Sequence, residues 1–263
     1  MKATNVRTRI FETGDMAGSA WLSTTISHQV PEMAGEMVSF LAPQSQEADQ
    51  YRALRYTIEE RHQDSGLQVI GVTSTVPGEG KTLTCVNLAG TLGQARDRRV
   101  LLIDADFHQA SVGRYLGLSA AGGPKLSDIV SADNGKVTHA VHRIDALNLS
   151  VILPGAVEGS AYELLNSPRF DQLIRDARAQ YDFVLVDTPP VMVLPDARVI
   201  SRLVDGYILV VAAHKTKRSA VAQSLDVLDR SKVIGTVLNG DDRRNREYDS
   251  YYKRRNPSTV SRP

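Results

Sequence analysis

The chain has 263 residues, of which 42% are hydrophobic and 23% charged, with a formal net charge of +1 and one cysteine, Cys85. This length suits one large domain with an attached tail, and the composition is typical of a globular protein. The near-zero net charge and the short apolar runs argue against nucleic acid as a partner and against a direct membrane span. A lone cysteine excludes an internal disulfide and fits a reducing compartment, so we expect a cytoplasmic protein.

The N-terminal 44 residues and the segment after them differ in composition. Residues 1–44 are rich in Ser, Thr, Gly, Met and Gln without a clean period, and Pro31 and Pro43 interrupt them. We expect a mostly irregular N-terminal lead-in. Residues 46–63 contain helix formers without glycine or proline, which predicts a helix.

From Leu67 onward, short apolar runs rich in β-branched residues alternate with amphipathic stretches. The runs predict strands over 67–74, 99–106, 147–154, 181–190, 206–213 and 232–239. The stretches between them predict helices over 81–95, 167–180 and 218–230. Continuous apolar strands separated by helices are typical of a mostly parallel central sheet with helices on both faces. The pattern therefore predicts an α/β domain over residues 45–240, with ligands bound at the carboxyl ends of the strands.

The segment after the last predicted strand has a different character. Residues 241–263 are strongly polar and present no apolar face, so we expect a flexible C-terminal tail. Tyrosine usually buries its ring, yet three of the nine tyrosines fall within five residues of this tail. They are Tyr248, Tyr251 and Tyr252. A chance cluster in a polar chain end is the plain alternative to a functional cluster.

The sequence TSTVPGEGKT lies between a predicted strand and a predicted helix. It departs from the strict phosphate-loop pattern G-x-x-x-x-G-K-[ST], because Thr75 stands where the first glycine belongs. Gly78 and Gly80 nevertheless allow consecutive amides to point inward, beside the positive end of the helix dipole. We expect a P-loop NTPase-like site in which Lys81 reaches the β- and γ-phosphates and the Thr82 hydroxyl binds Mg²⁺. The predicted nucleotide-contacting residues are Val76, Pro77, Gly78, Glu79, Gly80, Lys81, Thr82 and Leu83.

Acidic residues end two of the predicted strands. Asp104 and Asp106 follow the apolar run LLI, and Asp187 ends the run VLV. The carboxyl ends of parallel strands share one edge of the sheet, so we expect the three carboxylates to lie beside the phosphate loop. Mg²⁺ binds one or two carboxylates together with waters and phosphate oxygens, and this set of acids suits that requirement.

The motifs PGEGKT, LLIDAD and YDFVLVDTPP, in this order and spacing, resemble those of the bacterial tyrosine kinases, the polysaccharide-biosynthesis autokinases of the cytoplasmic type. The resemblance covers about residues 35–255. The family is part of the deviant P-loop ATPase group, which also holds the partition and division-site ATPases. The resemblance implies an ATP-dependent protein-tyrosine kinase that phosphorylates its own tail and regulates exopolysaccharide or capsule polymerisation and export.

The same resemblance assigns roles to individual residues. It implies that Lys81 and Thr82 hold the phosphates and Mg²⁺, and that Asp187 holds the metal through water. It implies that Asp104 and Asp106 serve the metal and the acceptor tyrosine, one of them as the base. The implied catalytic residues are Lys81, Asp104 and Asp106, and the implied metal ligands are Thr82, Asp104 and Asp187.

Two further features match the family. An acidic-x-x-Arg-x-x-Arg helix packs family members into a ring, and Asp49, Arg52 and Arg55 match it here, with aspartate in place of the usual glutamate. Residues three apart share one helix face, so a solvated charged face is the plain alternative. The family also carries a C-terminal tyrosine cluster, which makes the three tail tyrosines the implied phosphoacceptors.

The resemblance also implies partners and a location. Family members without a fused membrane span pair with a separate membrane protein of the chain-length-determinant type, whose cytoplasmic end activates the kinase. We therefore expect a ring-forming homo-oligomer that such a partner recruits to the inner face of the membrane. We expect phosphate transfer in trans, to the tail of a neighbour in the ring.

This chain departs from the family pattern in two ways. The second motif of the family generally continues D-x-D-x-R, but this chain has His108 in place of the arginine. The tail is also poorer in tyrosine than that of many family members.

Two alternative functions stay open. One is a partition- or division-site-type ATPase, a dimer switch whose signature lysine would stand at the position of Val76. The other is a non-catalytic scaffold that binds ATP poorly, which the missing arginine favours.

Overall fold

A central β-sheet organises the molecule, and the computed structural model describes residues 33–118, 122–132 and 135–241 together with the backbone of 26–28. Its strands are β1 (Ile26–His28), β2 (Val69–Ser74), β3 (Val100–Asp104), β4 (His142–Ile144), β5 (Leu149–Ile152), β6 (Phe183–Asp187), β7 (Gly206–Ala212) and β8 (Val233–Asn239). They form one sheet in the order β1-β4-β5-β3-β6-β2-β7-β8.

Helices cover both faces of this sheet. They are α1 (Val38–Leu41), α2 (Gln46–Ser65), α3 (Lys81–Gly93), α4 (Val112–Tyr115), α5 (Leu126–Ser131), α6 (Ala161–Leu165), α7 (Pro168–Gln180), α8 (Asp196–Ser201) and α9 (Arg218–Val227). Short 3-10 turns lie at Val137–His139, Asp145–Leu147 and Arg230–Lys232. Within the described part of the chain, no helix is both long enough and apolar enough to cross a membrane.

Six neighbouring strands, β5-β3-β6-β2-β7-β8, run parallel to one another, which confirms the predicted mostly parallel α/β sheet. β4 runs antiparallel to β5, and β1 pairs parallel with β4. These two edge strands have three residues each, so they are too short to produce a periodic apolar signal in the sequence.

Residues 1–44 depart from the predicted irregular lead-in at two places. β1 joins the sheet edge, and α1 packs on α3 directly after Met37, which is fully buried. Ser39 N donates to Asn87 Oδ1 at 3.0 Å, and Asn87 Nδ2 donates to Glu36 O at 3.1 Å. Order in this segment therefore comes from contacts with residues roughly 50 or more positions later, which no local pattern reveals.

Successive residues of each strand feed two separate cores. In β3, Leu101 and Ile103 pack on the face covered by α5, α7 and α8, whereas Leu102 packs on the face covered by α2 and α3. Every residue of β3 and β6 is buried. This two-sided burial explains why the strands read as continuous apolar runs rather than alternating ones.

The predicted helix over 46–63 is α2, which runs two residues further, to Ser65. The Ser45 hydroxyl accepts from Ala48 N at 3.1 Å and caps its first turn. Gly66 ends it with a φ of +72°, the left-handed conformation that glycine adopts without strain. Residues 242–263, which include most of the expected tail, lie outside the described residues.

Candidate nucleotide-binding and catalytic site

The phosphate loop connects the end of β2 to the start of α3, as its motif predicts. Gly78 and Gly80 have φ values of +81° and +88°, which side chains disfavour. A Cβ on Gly80 would also lie 2.0 Å from Asn239 Nδ2 at the end of β8. α3 begins directly after this turn at Lys81, so the free amides of its first turn face the loop.

A buried carboxylate braces the loop. Glu79 is 2% exposed and accepts from Val76 N at 2.9 Å and from Ala212 N at 3.4 Å. The Thr216 hydroxyl donates to the same carboxylate, and Asn239 Nδ2 donates to the Glu79 carbonyl at 3.0 Å. Glu79 therefore ties the loop to the ends of β7 and β8 through its side chain and backbone together.

Lys81 lies at the centre of a buried acid cluster. Its Nζ is 2.7 Å from Asp106 Oδ2 and 3.7 Å from Asp187 Oδ2. The Thr82 hydroxyl donates to Asp187 Oδ2 at 2.7 Å. Asp104 is paired in register with Asp187 on the adjacent strand, and both are fully buried. The structure thus brings together every residue that the sequence placed in the catalytic and metal-binding sets.

Backbone amides orient the first two acids of the cluster. Asp104 accepts from Asp106 N at 3.1 Å and from Val112 N at 3.2 Å, so it fastens the segment after β3 to α4. Asp106 accepts from Gln109 N at 2.9 Å through one carboxylate oxygen, and its other oxygen faces Lys81. Asp106 is therefore the acid most directly coupled to the phosphate-loop lysine.

Burial and mutual repulsion perturb these groups. Burial raises the pKa of Asp187 to about 6, although Lys81 and the Thr82 hydroxyl act in the opposite direction. Burial, with added repulsion from Asp187, raises the pKa of Asp104 well above its usual value. Burial lowers the pKa of Lys81, but attraction to Asp187 and Asp106 outweighs it, so its net pKa is raised. The lysine therefore remains a cation, whereas ionising Asp104 and Asp187 costs free energy in the folded chain.

His108, which replaces the arginine of the family motif, contacts an acid on α8. Its Nε2 lies 3.2 Å from Asp196 Oδ2 at the start of α8, and its side chain is 48% exposed. Asp196 is 2% exposed. His108 thus connects the segment after β3 to α8. An arginine at this position would carry a permanent charge.

The proposed ring-interface residues lie on α2, where they make contacts within the chain. Arg52 pairs with Asp49, and its Nη1 donates to Pro43 O at 2.7 Å. Arg55 donates to Glu59 at 2.9 Å and to the Thr91 carbonyl of α3 at 2.9 Å. The proposed phosphoacceptors Tyr248, Tyr251 and Tyr252 lie outside the described residues.

The oxygen atoms of the cluster fit a magnesium nucleotide. The Thr82 hydroxyl and the carboxylates of Asp104 and Asp187 are hard oxygen ligands, the type that Mg²⁺ prefers. Asp187 Oδ1 is buried and has no hydrogen-bond partner among the described residues. No group of three or more His, Cys, Asp or Glu side chains there forms a complete metal cage. Phosphate and water would therefore supply most ligands, as is usual for Mg²⁺.

Sequence reasoning missed three residues that shape the site. Asn239 donates to the Glu79 carbonyl, Thr216 donates to the Glu79 carboxylate, and Asp196 contacts His108. Asn239 ends a predicted strand, and ligands bind at the carboxyl ends of parallel strands, so its position was an indication that the sequence offered. Thr216 and Asp196 reach the site only through contacts with residues distant in the chain.

Comparisons with known proteins identify related chains. Residues 67–230 match the AAA domain family. Tyrosine-protein kinase YwqD of Bacillus subtilis is 32% identical over 79% of this chain and 87% of its own length. Tyrosine-protein kinase wzc of Salmonella typhi is 35% identical over 72% of this chain, which spans 26% of that longer protein.

Solved structures agree with these relatives. The kinase domain of Escherichia coli tyrosine kinase ETK superposes with a TM-score of 0.71 and 28% identity, covering 78% of this chain and 79% of that domain. Septum site-determining protein MinD of Pyrococcus horikoshii, in complex with Mg-ADP, superposes less well, with a TM-score of 0.55 and 26% identity over 68% of this chain and 72% of its own. The matched P-loop domain, the curated relatives and the kinase-domain structures together show that this chain belongs to the bacterial tyrosine-protein kinase family.

Proposed function

We propose that this protein is an ATP-dependent tyrosine autokinase that phosphorylates Tyr248, Tyr251 and Tyr252 of a neighbouring copy. The observation that carries this proposal is the buried constellation in which Lys81 contacts Asp106 and Asp187 at the mouth of a phosphate loop. A relative named tyrosine-protein kinase YwqD matches 79% of the chain. The reaction transfers the γ-phosphoryl group of ATP to a phenol oxygen and releases ADP and a proton.

Lys81 and the loop amides would neutralise and orient the phosphates, since phosphoryl transfer depends on positioning and charge stabilisation. Thr82, Asp104 and Asp187 would hold Mg²⁺, which supplies additional positive charge beside the phosphates when bound. The buried lysine is already oriented by its two carboxylates, so little reorganisation is needed when phosphate arrives.

The acceptor tyrosine must lose its proton near neutral pH, although an unperturbed phenol has a pKa of about 10. Asp104 or Asp106 would accept that proton. Asp104 suits the role of base because burial and repulsion from Asp187 raise its pKa. Asp106 suits the role of orienting group because it is paired directly with Lys81.

The tail begins after β8, and its tyrosines lie among basic residues. These are Arg243, Arg244, Arg246, Lys253, Arg254 and Arg255. Each phosphate adds about −1.5 to −2 charges, so modification would reverse the local charge of the tail. We infer that phosphorylation weakens tail docking into an acid-lined site and favours disassembly of the ring.

We propose that the chain acts in exopolysaccharide or capsule production. A separate membrane protein of the chain-length-determinant type would recruit it to the inner face of the membrane. Family membership supports this placement. Asp49, Arg52 and Arg55 would form the ring contact, with the exposed part of the Asp49–Arg52 pair offered to a neighbour.

The dimer-switch alternative receives less support. Its signature lysine is replaced by Val76, whose side chain is 39% exposed and whose amide is bound by Glu79. The superposition on MinD is also weaker than that on the ETK kinase domain. The scaffold alternative receives little support because the phosphate loop, its lysine and the acids are all in place.

Incubation with Mg-ATP followed by phosphotyrosine mapping tests the proposal. The wild-type chain should carry phosphate on the tail tyrosines, and Lys81→Met should carry none. A Tyr248→Phe/Tyr251→Phe/Tyr252→Phe variant should transfer phosphate to Lys81→Met in a mixture, which establishes transfer in trans.

Other results would contradict the kinase assignment. ATP hydrolysis without phosphotyrosine would favour the dimer switch. Failure of the folded wild-type chain to bind Mg-ATP would favour the scaffold.

A further inference from the structure

The phosphate loop contains a carboxylate of its own, next to the residues that would bind phosphate. Glu79 immediately precedes Gly80 and lies two residues before Lys81. A carboxylate in this place repels the phosphates of a nucleotide, because like charges at short range destabilise one another. A nucleotide therefore binds well only if the Glu79 side chain is held away from the phosphates and its charge is satisfied by hydrogen-bond donors.

Three donors among the described residues hold the Glu79 carboxylate. Val76 N donates to one oxygen at 2.9 Å, and the other oxygen accepts from Ala212 N at 3.4 Å and from the Thr216 hydroxyl. Glu79 is 2% exposed, so these groups take the place of the water that would otherwise solvate the carboxylate. Thr216 supplies the side-chain donor of this set, whereas the other two donors are backbone amides.

The turn that carries Thr216 is fixed to the end of β7. Lys215 N and Thr216 N both donate to the Ala212 carbonyl, at 3.4 Å and 3.2 Å. His214, in the middle of this turn, has a φ of +60°, a left-handed conformation that is uncommon for residues other than glycine. The turn therefore has a defined backbone conformation that presents the Thr216 hydroxyl to Glu79.

A separate contact holds the backbone of the loop at the same place. Asn239 Nδ2 donates to the Glu79 carbonyl at 3.0 Å, and Ala213 N donates to the Asn239 carbonyl at 2.8 Å. A Cβ on Gly80 would lie 2.0 Å from Asn239 Nδ2, so the loop packs directly against this amide. Because the Glu79 backbone is held independently of Thr216, loss of the Thr216 hydroxyl would release the carboxylate without removing this backbone contact.

We propose that Thr216 is a positioning residue of the nucleotide site, which acts through Glu79 to set the affinity of the phosphate loop for a nucleoside phosphate. The inference deepens the proposed function and rests on it, since it assigns a nucleotide to the loop. The Thr216 hydroxyl keeps the Glu79 carboxylate on the β7–α9 side of the loop. The loop then has its binding conformation before the phosphates arrive, which reduces the free-energy cost of binding.

Titration calorimetry with Mg-ADP measures this affinity without any phosphate transfer. Thr216→Val preserves the shape of the side chain and removes the hydroxyl, so it should raise the Kd for Mg-ADP about tenfold. Thr216→Ser keeps a hydroxyl and should bind Mg-ADP almost as tightly as wild type. Thr236→Val, an exposed change of the same kind in β8, should leave the Kd unchanged. Equal Kd values for Thr216→Val and Thr236→Val would overturn the proposal.

A double-mutant cycle tests whether Thr216 acts through Glu79. Glu79→Ala removes the carboxylate, so adding Thr216→Val to it should change the Kd no further. A loss of about tenfold that persists in the Glu79→Ala background would overturn the proposal, because Thr216 would then act by another route. If Glu79→Ala does not fold, the serine and valine variants decide the question. A serine variant that binds as weakly as the valine variant would overturn the role of the hydroxyl.

Steady-state kinetics separate positioning from a general loss of structure. With a peptide of residues 242–256 as the acceptor, Thr216→Val should raise the KM for ATP about tenfold. The KM for the peptide and kcat should stay near their wild-type values, because loss of an interaction made equally in the ground state and the transition state raises KM alone. A lowered kcat with an unchanged KM for ATP would overturn the proposal.

The same measurements separate this proposal from the kinase assignment. If wild type binds Mg-ADP and Thr216→Val weakens binding, but no phosphotyrosine forms, the kinase assignment fails and the role of Thr216 in nucleotide binding stands. If phosphotyrosine forms and Thr216→Val binds Mg-ADP as tightly as wild type, the role of Thr216 fails and the kinase assignment stands. A folded wild-type chain that does not bind Mg-ADP would overturn both.

Discussion

Individual side chains in the active site carry charge where burial opposes it. Asp187 is fully buried, and its pKa of about 6 records the cost of ionising it there. Lys81 offsets only part of that cost, because it is shared between Asp106 and Asp187. Ionised Asp187 therefore lowers the stability of the folded chain, although the proposed nucleotide site requires it.

The raised pKa of Asp187 predicts a pH-dependent stability. Because its folded pKa of about 6 exceeds the unfolded value near 4, the folded chain binds more protons between these values. Its contribution to the free energy of unfolding therefore falls as pH rises through this window. Asp187→Asn should be more stable than wild type at pH 7, by about 1–3 kcal/mol, with the difference shrinking toward pH 4.

Denaturant unfolding of both chains at pH 7 and pH 4.5 measures this difference. The variant should also lose phosphotransfer, because Mg²⁺ loses a carboxylate. A difference in unfolding free energy that stays constant across the pH window would contradict the assignment of the raised pKa to Asp187.

Secondary-structure elements meet at positions where the backbone leaves no room. α3 carries the phosphate loop at its start, and its last residue, Gly93, packs against the turn between β4 and β5. A Cβ on Gly93 would lie 2.2 Å from the Leu147 carbonyl oxygen. The position of α3 in the fold therefore depends on Gly93, which lies at the opposite end of the helix from Lys81.

Gly93→Ala should lower the free energy of unfolding by about 1–3 kcal/mol, because backbone must move to admit the methyl group. Urea unfolding measures the change. Gly235→Ala in β8 is the matched control, since nothing lies within 4 Å of a Cβ there, and it should be neutral or slightly stabilising. Equal behaviour of the two variants would show that α3 adjusts freely to the added methyl group.

At the scale of the whole molecule, α2 links the fold to the proposed ring. Arg55 is committed within the chain to the Thr91 carbonyl, whereas the Asp49–Arg52 pair is partly exposed. The pair is worth little to the isolated chain, because exposed ion pairs contribute about 0–1 kcal/mol. Its main energetic role would lie between copies.

Asp49→Ala/Arg52→Ala should therefore convert a ring-sized assembly into monomers while costing at most about 1 kcal/mol of unfolding free energy. Size-exclusion chromatography with light scattering measures the mass. Arg61→Ala, an exposed change on the same helix, should preserve the assembly. A wild-type chain that is monomeric at all concentrations would contradict the ring. A double variant whose assembly has the same mass as that of the wild type would show that the interface does not include Asp49 and Arg52.

The sequence by itself determined the six parallel strands of the sheet, the phosphate loop and the three acids, because each leaves a local mark. Buried parallel strands are continuously apolar, a phosphate loop needs its glycines and lysine, and acids at strand ends share one edge. Tertiary structure alone decided which groups face one another across the sheet. The contacts of Glu79 with Thr216 and Asn239, and that of His108 with Asp196, join residues far apart in the chain, so no local pattern encodes them.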